Sequence, residues 1–245
     1  MSGRSPVDVS LVVPVYDERE SLPLLVEEIG RALGARGRWT YEIVAVDDGS
    51  TDGSLDVLKA LKRDHPELHV VAFAHNAGQT AAFAAGFQAA RGRVIVTLDA
   101  DLQNDPADVP ALVAELERSG ATAVVGYRTN RHDSGWKRLQ SRIANGVRNR
   151  LNRETIRDTG CSLKAFRADA VRALPLFHGM HRFLPTLIKL HGGTVVETPV
   201  QHRPRRFGRT KYGMWNRAFR SLADALAVRW MQRRALRYQV REELP

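Results

Sequence analysis

Asp99 and Asp101 stand two residues apart at the end of an apolar run, Val94-Ile95-Val96-Thr97-Leu98, and Asp105 and Asp108 follow closely. Two carboxylates spaced in this way beyond a strand can both turn oxygen ligands toward one hard cation. Mg²⁺ takes one or two carboxylates and keeps waters or substrate phosphate oxygens in its other positions. A metal held there would neutralise a departing diphosphate as a Lewis acid. The plain alternative is a solvated turn before a helix that starts at Pro106, with Asp105 and Asp108 as helix-start carboxylates. Spacing alone leaves both readings open.

A second set of residues is cationic. The loop QHRPRRFGRTKYG, residues 201–213, carries Arg203, Arg205, Arg206, Arg209 and Lys211 among Gly and Pro. A loop of this composition can close over phosphates, since a diphosphate leaving group needs its charge neutralised from both sides. It also reads as a solvated basic loop. Arg206 is the arginine preferred for the phosphates. Arg128, with Arg131 or Arg142 beyond it, suits an acceptor monophosphate. Such an acceptor oxygen is already anionic, and it needs cations to hold it in line more than it needs a base.

These groups need a frame, and the first half of the chain alternates regularly. Val9–Val15 reads as a strand, 21–35 as a helix with Leu22, Leu25, Val26, Ile29 and Leu33 on one side, and Tyr41–Val46 as a strand ending in Asp47-Asp48-Gly49-Ser50. A helix over 51–63, a strand over 69–74, an Ala-rich helix over 79–91, the strand Val94–Leu98, a helix over 106–119 and the strand Ala123–Tyr127 follow. Strand and helix in turn, with short loops, predict an α/β fold with a mostly parallel sheet and helices on both faces. Ligands in such sheets bind beyond the carboxyl ends of the strands. The residues at those ends are Pro14, Tyr16 to Glu18, Asp47-Asp48, Asn76 to Gly78, Asp99 to Asp101 and Arg128, all polar or turn formers. They are expected to converge on one site. The second half offers a basic stretch over 128–157, a strand over 164–167, helical segments near 168–174 and 182–190, a strand over 194–200, and a last helix from Met214 to about Tyr238.

Bulk properties bound the partners. The 245 residues, 43% hydrophobic and 26% charged, suit a globular chain with a sizeable core. One cysteine, Cys161, allows no internal disulfide and suits a reducing compartment. The start MSGRSPVDVS lacks the apolar core of a secretion signal, and no apolar run approaches the ~20 residues that span a bilayer. The expected location is cytoplasmic, with a peripheral position on the inner face of the membrane open to it. The net charge of +10 is unevenly spread: residues 1–127 carry 11 Lys/Arg and 19 Asp/Glu, residues 128–245 carry 26 and 8. The second half therefore faces a polyanion, whether small-molecule phosphates, anionic lipid or nucleic acid.

The segments LVVPVYDERESL, VDDGSTDGS, NAGQTAAFAAGF and LDADLQNDP, in that order at strand ends, resemble the family 2 glycosyltransferases of the GT-A fold. More narrowly they are similar to the branch that transfers mannose or glucose to polyprenyl (dolichol) phosphate. The resemblance continues through Tyr127-Arg128, DTGCSLKAFR, HRFLP and RRFGRTKYG, covering roughly residues 8–213, and implies a catalytic domain over residues 1–213. It implies inverting, metal-dependent hexose transfer from a nucleotide diphosphate sugar to a polyprenyl phosphate. Pro14, Tyr16 and Glu18 fall where the family holds the nucleobase and ribose, with Asp17 in place of the usual Asn. Asp48 would read the base edge and Asp47 brace the turn. Asp99 and Asp101, with Gln103 as an additional ligand, match the motif for Mg²⁺ or Mn²⁺ and diphosphate. Lys211 falls in the basic loop over the donor phosphates. Arg128 and Arg142 are favoured for the acceptor phosphate, and Asp158 lies where relatives place an acidic residue near the acceptor, either as a base or as a turn cap. His181 and Arg182 shape the same region.

Residues 214–245 form an expected basic amphipathic extension. Trp215, Phe219, Leu222, Leu226 and Trp230 share one helix face, and Arg229, Arg233 and Arg237 project along nearly the same stripe. A helix of this kind binds anionic headgroups or a membrane partner, or packs back on the domain, or joins two copies of the chain. A soluble acceptor in place of the lipid is the main alternative for the enzyme. A nucleic-acid-binding protein would account for the basic half but leave the strand-end carboxylates without a role. A Rossmann dehydrogenase would need a glycine fingerprint where this chain has PVYDERES.

Overall fold

In the first strand, Val9–Val15 (β1), Leu11 and Val13 enter one core and Val12 the other, the period-two alternation of a strand covered on both faces. The computed structural model describes residues 7–34, 37–129, 154–207 and 214–235, the isolated positions 146, 150 and 242, and for 214–221 the backbone alone. Within these, β2 is Tyr41–Asp47, β3 Leu68–Ala72, β4 Val94–Thr97, β5 Ala123–Arg128, β6 Lys164–Arg167 and β7 Val195–Val200. The helices are α1 (Leu22–Gly34), α2 (Ser54–Asp64), α3 (Gln79–Ala89), α4 (Val109–Ser119), α5 (Ala168–Arg172), α6 (Leu184–Leu190) and α7 (Met214–Arg234).

The strands form one sheet in the order β3-β2-β1-β4-β6-β5-β7. All pairs are parallel except those of β6, which runs antiparallel to both β4 and β5. This is the mostly parallel sheet that the alternation in the first half predicts, with β6 as the antiparallel member. As antiparallel neighbours, β5 ends and β6 begins at the same end of the sheet. As a result the start of β6 joins the carboxyl ends of the other strands: Lys164 pairs with Thr97, two residues before Asp99. The strand order reverses between β1 and β4, the switch point at which open sheets of this kind form their crevice.

Helices α1, α2 and α4 cover one face, burying Leu22, Leu25, Ile29, Leu58, Leu112 and Leu116 against β1, β2 and β4. Helices α3, α5, α6 and α7 cover the other around Phe83, Phe87, Phe166, Phe183 and Leu187. Each such side chain contributes about 1.5–3 kcal/mol on leaving water. Helix α3 lies closest to the sheet: a Cβ on Gly86 would sit 2.3 Å from Val12 Cγ1.

Local chemistry shifts two helix starts from their expected places. Gly53 adopts a left-handed φ of 90°, and Asp52 Oδ1 accepts the Ser54 N–H at 2.9 Å, so α2 begins at Ser54 rather than Thr51. Pro106–Asp108 forms a 3-10 turn capped by Asp105, whose side chain accepts the Ala107 N–H, and α4 starts only at Val109. Asp105 is the helix-start carboxylate expected. Asp108 instead takes the Gln201 N–H at 2.6 Å and so ties the basic loop to this turn.

Helix α7 joins the main core: Ala225 and Val228 are buried and Met231 packs beside them. Of the expected apolar stripe, Leu222, Leu226 and Trp230 are 45%, 53% and 63% exposed, while the side chains of Trp215 and Phe219, and Arg237, lie outside the described residues. Among the described residues, no helix is long and apolar enough to cross a membrane.

Candidate active site

The turn after β4 is fastened by its own backbone. Asp101 Oδ1 accepts the Gln103 N–H at 3.1 Å, and Leu102 between them is left-handed at φ 60°. That conformation is unfavourable by roughly 1–2 kcal/mol for a residue with a side chain, and complete burial of Leu102 in the first core offsets it. Asp99 is gripped from two sides, by Gln79 Nε2 at 2.9 Å from the start of α3 and by a hydrogen bond from Ser162. Burial first, and then the neighbouring Asp101 carboxylate, raise the Asp99 pKa to about 6 against the opposing pull of Ser162, Lys164 and Arg205.

The basic loop docks directly on this acidic turn. Arg203 N–H donates to the Gln103 carbonyl at 2.8 Å, His202 bridges to Asn104, and the Arg203 guanidinium pairs with Glu28 at 2.7 Å and Asp105 at 2.6 Å. Arg205 then reaches into the cleft, with Nη2 2.5 Å from Asp101 Oδ2 and Nη1 3.6 Å from Glu18 Oε1. Arg206, the arginine preferred from sequence, is exposed, and it is Arg205 that makes this contact. Neighbouring residues in an extended loop face opposite ways, and only the fold decides which one enters. Lys211 and Arg142 lie outside the described residues.

The ends of β1 and β2 form the adjacent wall. Pro14 and Tyr16 are partly buried, and Glu18 is held by its N–H on Ser54 Oγ at 2.9 Å. Asp17 adopts φ 49° and accepts the Thr51 N–H at 2.8 Å, a conformation in which Asp substitutes readily for Asn. Asp48 is buried, and its carboxylate accepts the N–H groups of Ala77 at 2.7 Å and Gly78 at 2.9 Å, with Asn76 Nδ2 at 3.1 Å. It therefore braces the loop over residues 76–78. That loop approaches so closely that a Cβ on Gly49 would lie 2.6 Å from the Asn76 nitrogen. Asp47, expected to do the bracing, accepts Ser50 N–H on Oδ2 at 3.3 Å and keeps Oδ1 buried with no hydrogen-bond partner among the described residues.

Arg128 and Asp158 meet as a pair. Arg128 Nε lies 2.6 Å from Asp158 Oδ2 and Nη2 2.9 Å from Oδ1, and the Arg128 N–H adds a third contact at 3.3 Å. Asp158 is thus the anchor that fixes the plane of the Arg128 guanidinium. Between this pair and Asp99 stands Lys164, a buried amine that donates to the Cys161 carbonyl. Burial lowers its pKa, and the nearby Cys161, Asp99 and Asp158 pull it back up. His181 is held by Thr80 Oγ1 at 2.8 Å on α3, which brings the 178–182 segment to the rim.

Gln79, Ser162, Lys164 and Arg205 are the members of the site that sequence reasoning did not single out for their roles. A lone lysine at the head of the apolar strand KAFR was the available signal for Lys164. Among the described residues, no three His, Cys, Asp or Glu side chains converge as a metal cluster. Asp99 and Asp101 offer two hard carboxylates, the number that Mg²⁺ or Mn²⁺ accepts when phosphate oxygens and water complete its shell. The Arg205 guanidinium already sets positive charge against Asp101, and a pair of hard carboxylates in that place fits such a metal. For Gln103 the structure supplies a backbone part, its N–H on Asp101 and its carbonyl on Arg203.

A seven-stranded α/β sheet with a carboxylate turn at its switch point places these groups where open sheets of this class bind their ligands. A family model described as glycosyl transferase family 2 matches residues 10–174, and the chain belongs to that family. A dodecaprenyl-phosphate galacturonate synthase of Rhizobium johnstonii is 40% identical over 232 residues, 93% of this chain and 68% of that protein. An undecaprenyl-phosphate 4-deoxy-4-formamido-L-arabinose transferase of Pectobacterium carotovorum subsp. carotovorum is 41% identical over 207 residues, 84% of this chain and 62% of that protein. The chain thus spans roughly two thirds of the length of these curated relatives. Its fold is that of glucosyl-3-phosphoglycerate synthase from Mycobacterium tuberculosis, solved with Mn²⁺, UDP and phosphoglyceric acid. The TM-score is 0.73 at 19% identity, over 91% of this chain and 78% of that one. The same enzyme solved with Mg²⁺ and UDP gives 0.69. The sheet with its covering helices is therefore of the GT-A type.

Proposed function

We propose that this chain transfers a sugar from a nucleotide diphosphate sugar to a polyprenyl phosphate with inversion. The supporting observation is the contact of Arg205 with Asp101 and Glu18, in which a cationic loop faces an acidic turn across one cleft. The named activities of the relatives support the lipid phosphate as acceptor. Pro14, Tyr16 and Glu18 bound the space for nucleobase and ribose. Asp47 Oδ1, buried and unsatisfied, suits a base N–H better than the saturated Asp48, because an unpaired buried acceptor gains most from a donor. Arg205 and Lys211 take the diphosphate.

Asp99 and Asp101 would hold Mg²⁺ or Mn²⁺, which when bound supplies Lewis-acid neutralisation of the leaving diphosphate. Arg128, kept in plane by Asp158, and Arg142 would orient the acceptor phosphate. Its oxygen forms the new bond to the anomeric carbon as the bond from that carbon to the diphosphate oxygen breaks. The acceptor is already an anion, so Asp158 acts by positioning Arg128 rather than by removing a proton.

The exposed Leu222, Leu226 and Trp230, with the exposed Arg233 and Arg234 beside them, support placing α7 against the anionic inner face of a membrane, next to a lipid phosphate. A thermal-shift panel of nucleoside diphosphates with and without Mn²⁺ tests the donor half. One nucleotide should raise Tm only with metal, and Asp101→Ala should abolish the rise. No stabilisation by any nucleotide with metal present would end this reading.

A further inference from the structure

Three groups draw on one small volume. Asp101 and Glu18 are 10% and 11% exposed, and the Arg205 guanidinium between them is 29% exposed. Asp99 completes the acidic ledge two residues before Asp101 on the same turn, with Gln79 Nε2 on its Oδ1 at 2.9 Å, and two carboxylates so placed repel each other when both are ionised. Arg205 is the loop cation that offsets part of this repulsion at Asp101. The Arg203 N–H to Gln103 carbonyl bond ties the loop to the acidic turn two residues before Arg205.

We infer that Arg205 is a place-holding cation, occupying the divalent metal's position until metal and diphosphate enter together and transfer it onto the diphosphate. This rests on the proposed transferase reading and adds a coupling mechanism to it. A guanidinium hydrogen-bonded to Asp101 Oδ2 and a metal bonded to that oxygen at about 2.0–2.1 Å exclude each other. Metal alone must therefore break the Arg205–Asp101 pair and leave a partly buried guanidinium without its strongest anion, a costly state. Diphosphate alone must enter beside two repelling carboxylates. With both present, the metal satisfies Asp99 and Asp101, and Arg205 finds in the diphosphate the planar bidentate partner that guanidinium geometry favours. Each ligand removes the other's obstacle, which is positive coupling between the two.

The test measures Mn²⁺ binding from the electron paramagnetic resonance amplitude of the free ion, on the whole chain, with and without UDP and GDP. In the unmodified protein Mn²⁺ alone should bind weakly, and the nucleotide that binds should tighten it on the order of ten- to a hundredfold. Arg205→Gln should bind Mn²⁺ alone about tenfold more tightly, bind the nucleotide more weakly, and lose much of the coupling. Arg205→Lys, which keeps a charge without the planar fork, should fall between them and serves as the second variant should the first not fold. An arginine that only grips phosphate would leave metal-alone affinity unchanged, and an arginine needed for folding would lower it. Either result overturns the inference. Should no nucleotide bind the unmodified protein, the transferase reading fails. Tighter Mn²⁺ binding by Arg205→Gln would still support the place-holding role in that case, and unchanged binding would remove it as well.

Discussion

Asp158 holds the guanidinium of Arg128 through two parallel hydrogen bonds, Nε to Oδ2 at 2.6 Å and Nη2 to Oδ1 at 2.9 Å. Both oxygens are engaged, which separates a positioning role from a general base. In Asp158→Asn the KM for a polyprenyl phosphate should rise more than kcat falls, and the acidic limb of the pH–rate profile should persist. Loss of that limb would make Asp158 the base. Asp158→Ala, which strips a buried pair of one partner, should cost about 3–5 kcal/mol in urea unfolding.

Asp99 makes the ledge a source of instability at neutral pH. With its pKa raised to about 6, it stays protonated in the fold between roughly pH 4 and 6, while the unfolded chain releases that proton. Stability on this account is greatest below pH 4 and falls as pH rises to 6, by on the order of 2–3 kcal/mol at 1.36 kcal/mol per pKa unit. Asp99→Asn should therefore raise Tm at pH 7.5 by several degrees, and the difference should shrink toward pH 4.5. The variant should gain nothing from Mn²⁺ with nucleotide. An equal Tm for both proteins at pH 7.5 would refute the strain.

At the opposite end of the sheet, Glu42 stabilises with the opposite sign. Burial pushes its carboxyl up, but the Ser10 hydroxyl at 2.6 Å, the Arg91 N–H at 2.6 Å and the Arg91 guanidinium bring it below its ordinary value. This contribution is full above the unfolded pKa near 4.5 and is lost as pH falls through the lower folded one. Glu42→Gln should lower stability by about 2–4 kcal/mol at pH 7 and by less at pH 3, as read from urea midpoints.

Gly86 sets how closely α3 approaches β1, and Gln79 at the head of that helix grips Asp99. Gly86→Ala should cost about 1–3 kcal/mol by overpacking against Val12 and reduce metal-dependent nucleotide binding as well. Adding Val12→Ala should recover a large part of both. Strictly additive losses in the double variant would show that the two positions do not press on each other.

The outward stripe of α7 predicts binding to vesicles. The full chain should float with liposomes containing anionic lipid and not with neutral ones, and binding should weaken with salt. Replacing Leu222, Leu226 and Trp230 with Ser should release it while leaving the fold intact. Deleting the helix is the poorer test, because Ala225 and Val228 belong to the core. Absence of flotation by the unmodified chain would remove the membrane role, and concentration-dependent dimer formation through the stripe would reassign it.

Much of this molecule was legible in the order of its residues. Apolar runs of β-branched residues marked β1, β2 and β4. The 3.6-residue spacing of Leu22, Val26, Ile29 and Leu33 marked α1, and the polar residues closing each strand marked the cleft. Those signals are local, arising from which faces a segment must bury, so they survive without the partner that buries them. The direction of β6 was not local, since it is set by its pairing with β4 and β5, which are distant in sequence. Nor was the commitment of the Asp48 carboxylate to the loop over 76–78, which follows from where that loop comes to rest.

The sequence by itself determined the kinds of groups present and the edge of the sheet at which they gather, because strand periodicity and chain reversal require only near neighbours. The tertiary structure alone decided that Arg205 rather than Arg206 enters the acidic turn, and that Asp158 is committed to Arg128. It likewise decided that the apolar face of α7 is turned outward from residue 222. Each of these is a contact between residues 30 or 104 positions apart or a choice between two sides of one segment. Such choices follow from the packing of both cores together, which no single stretch of sequence contains.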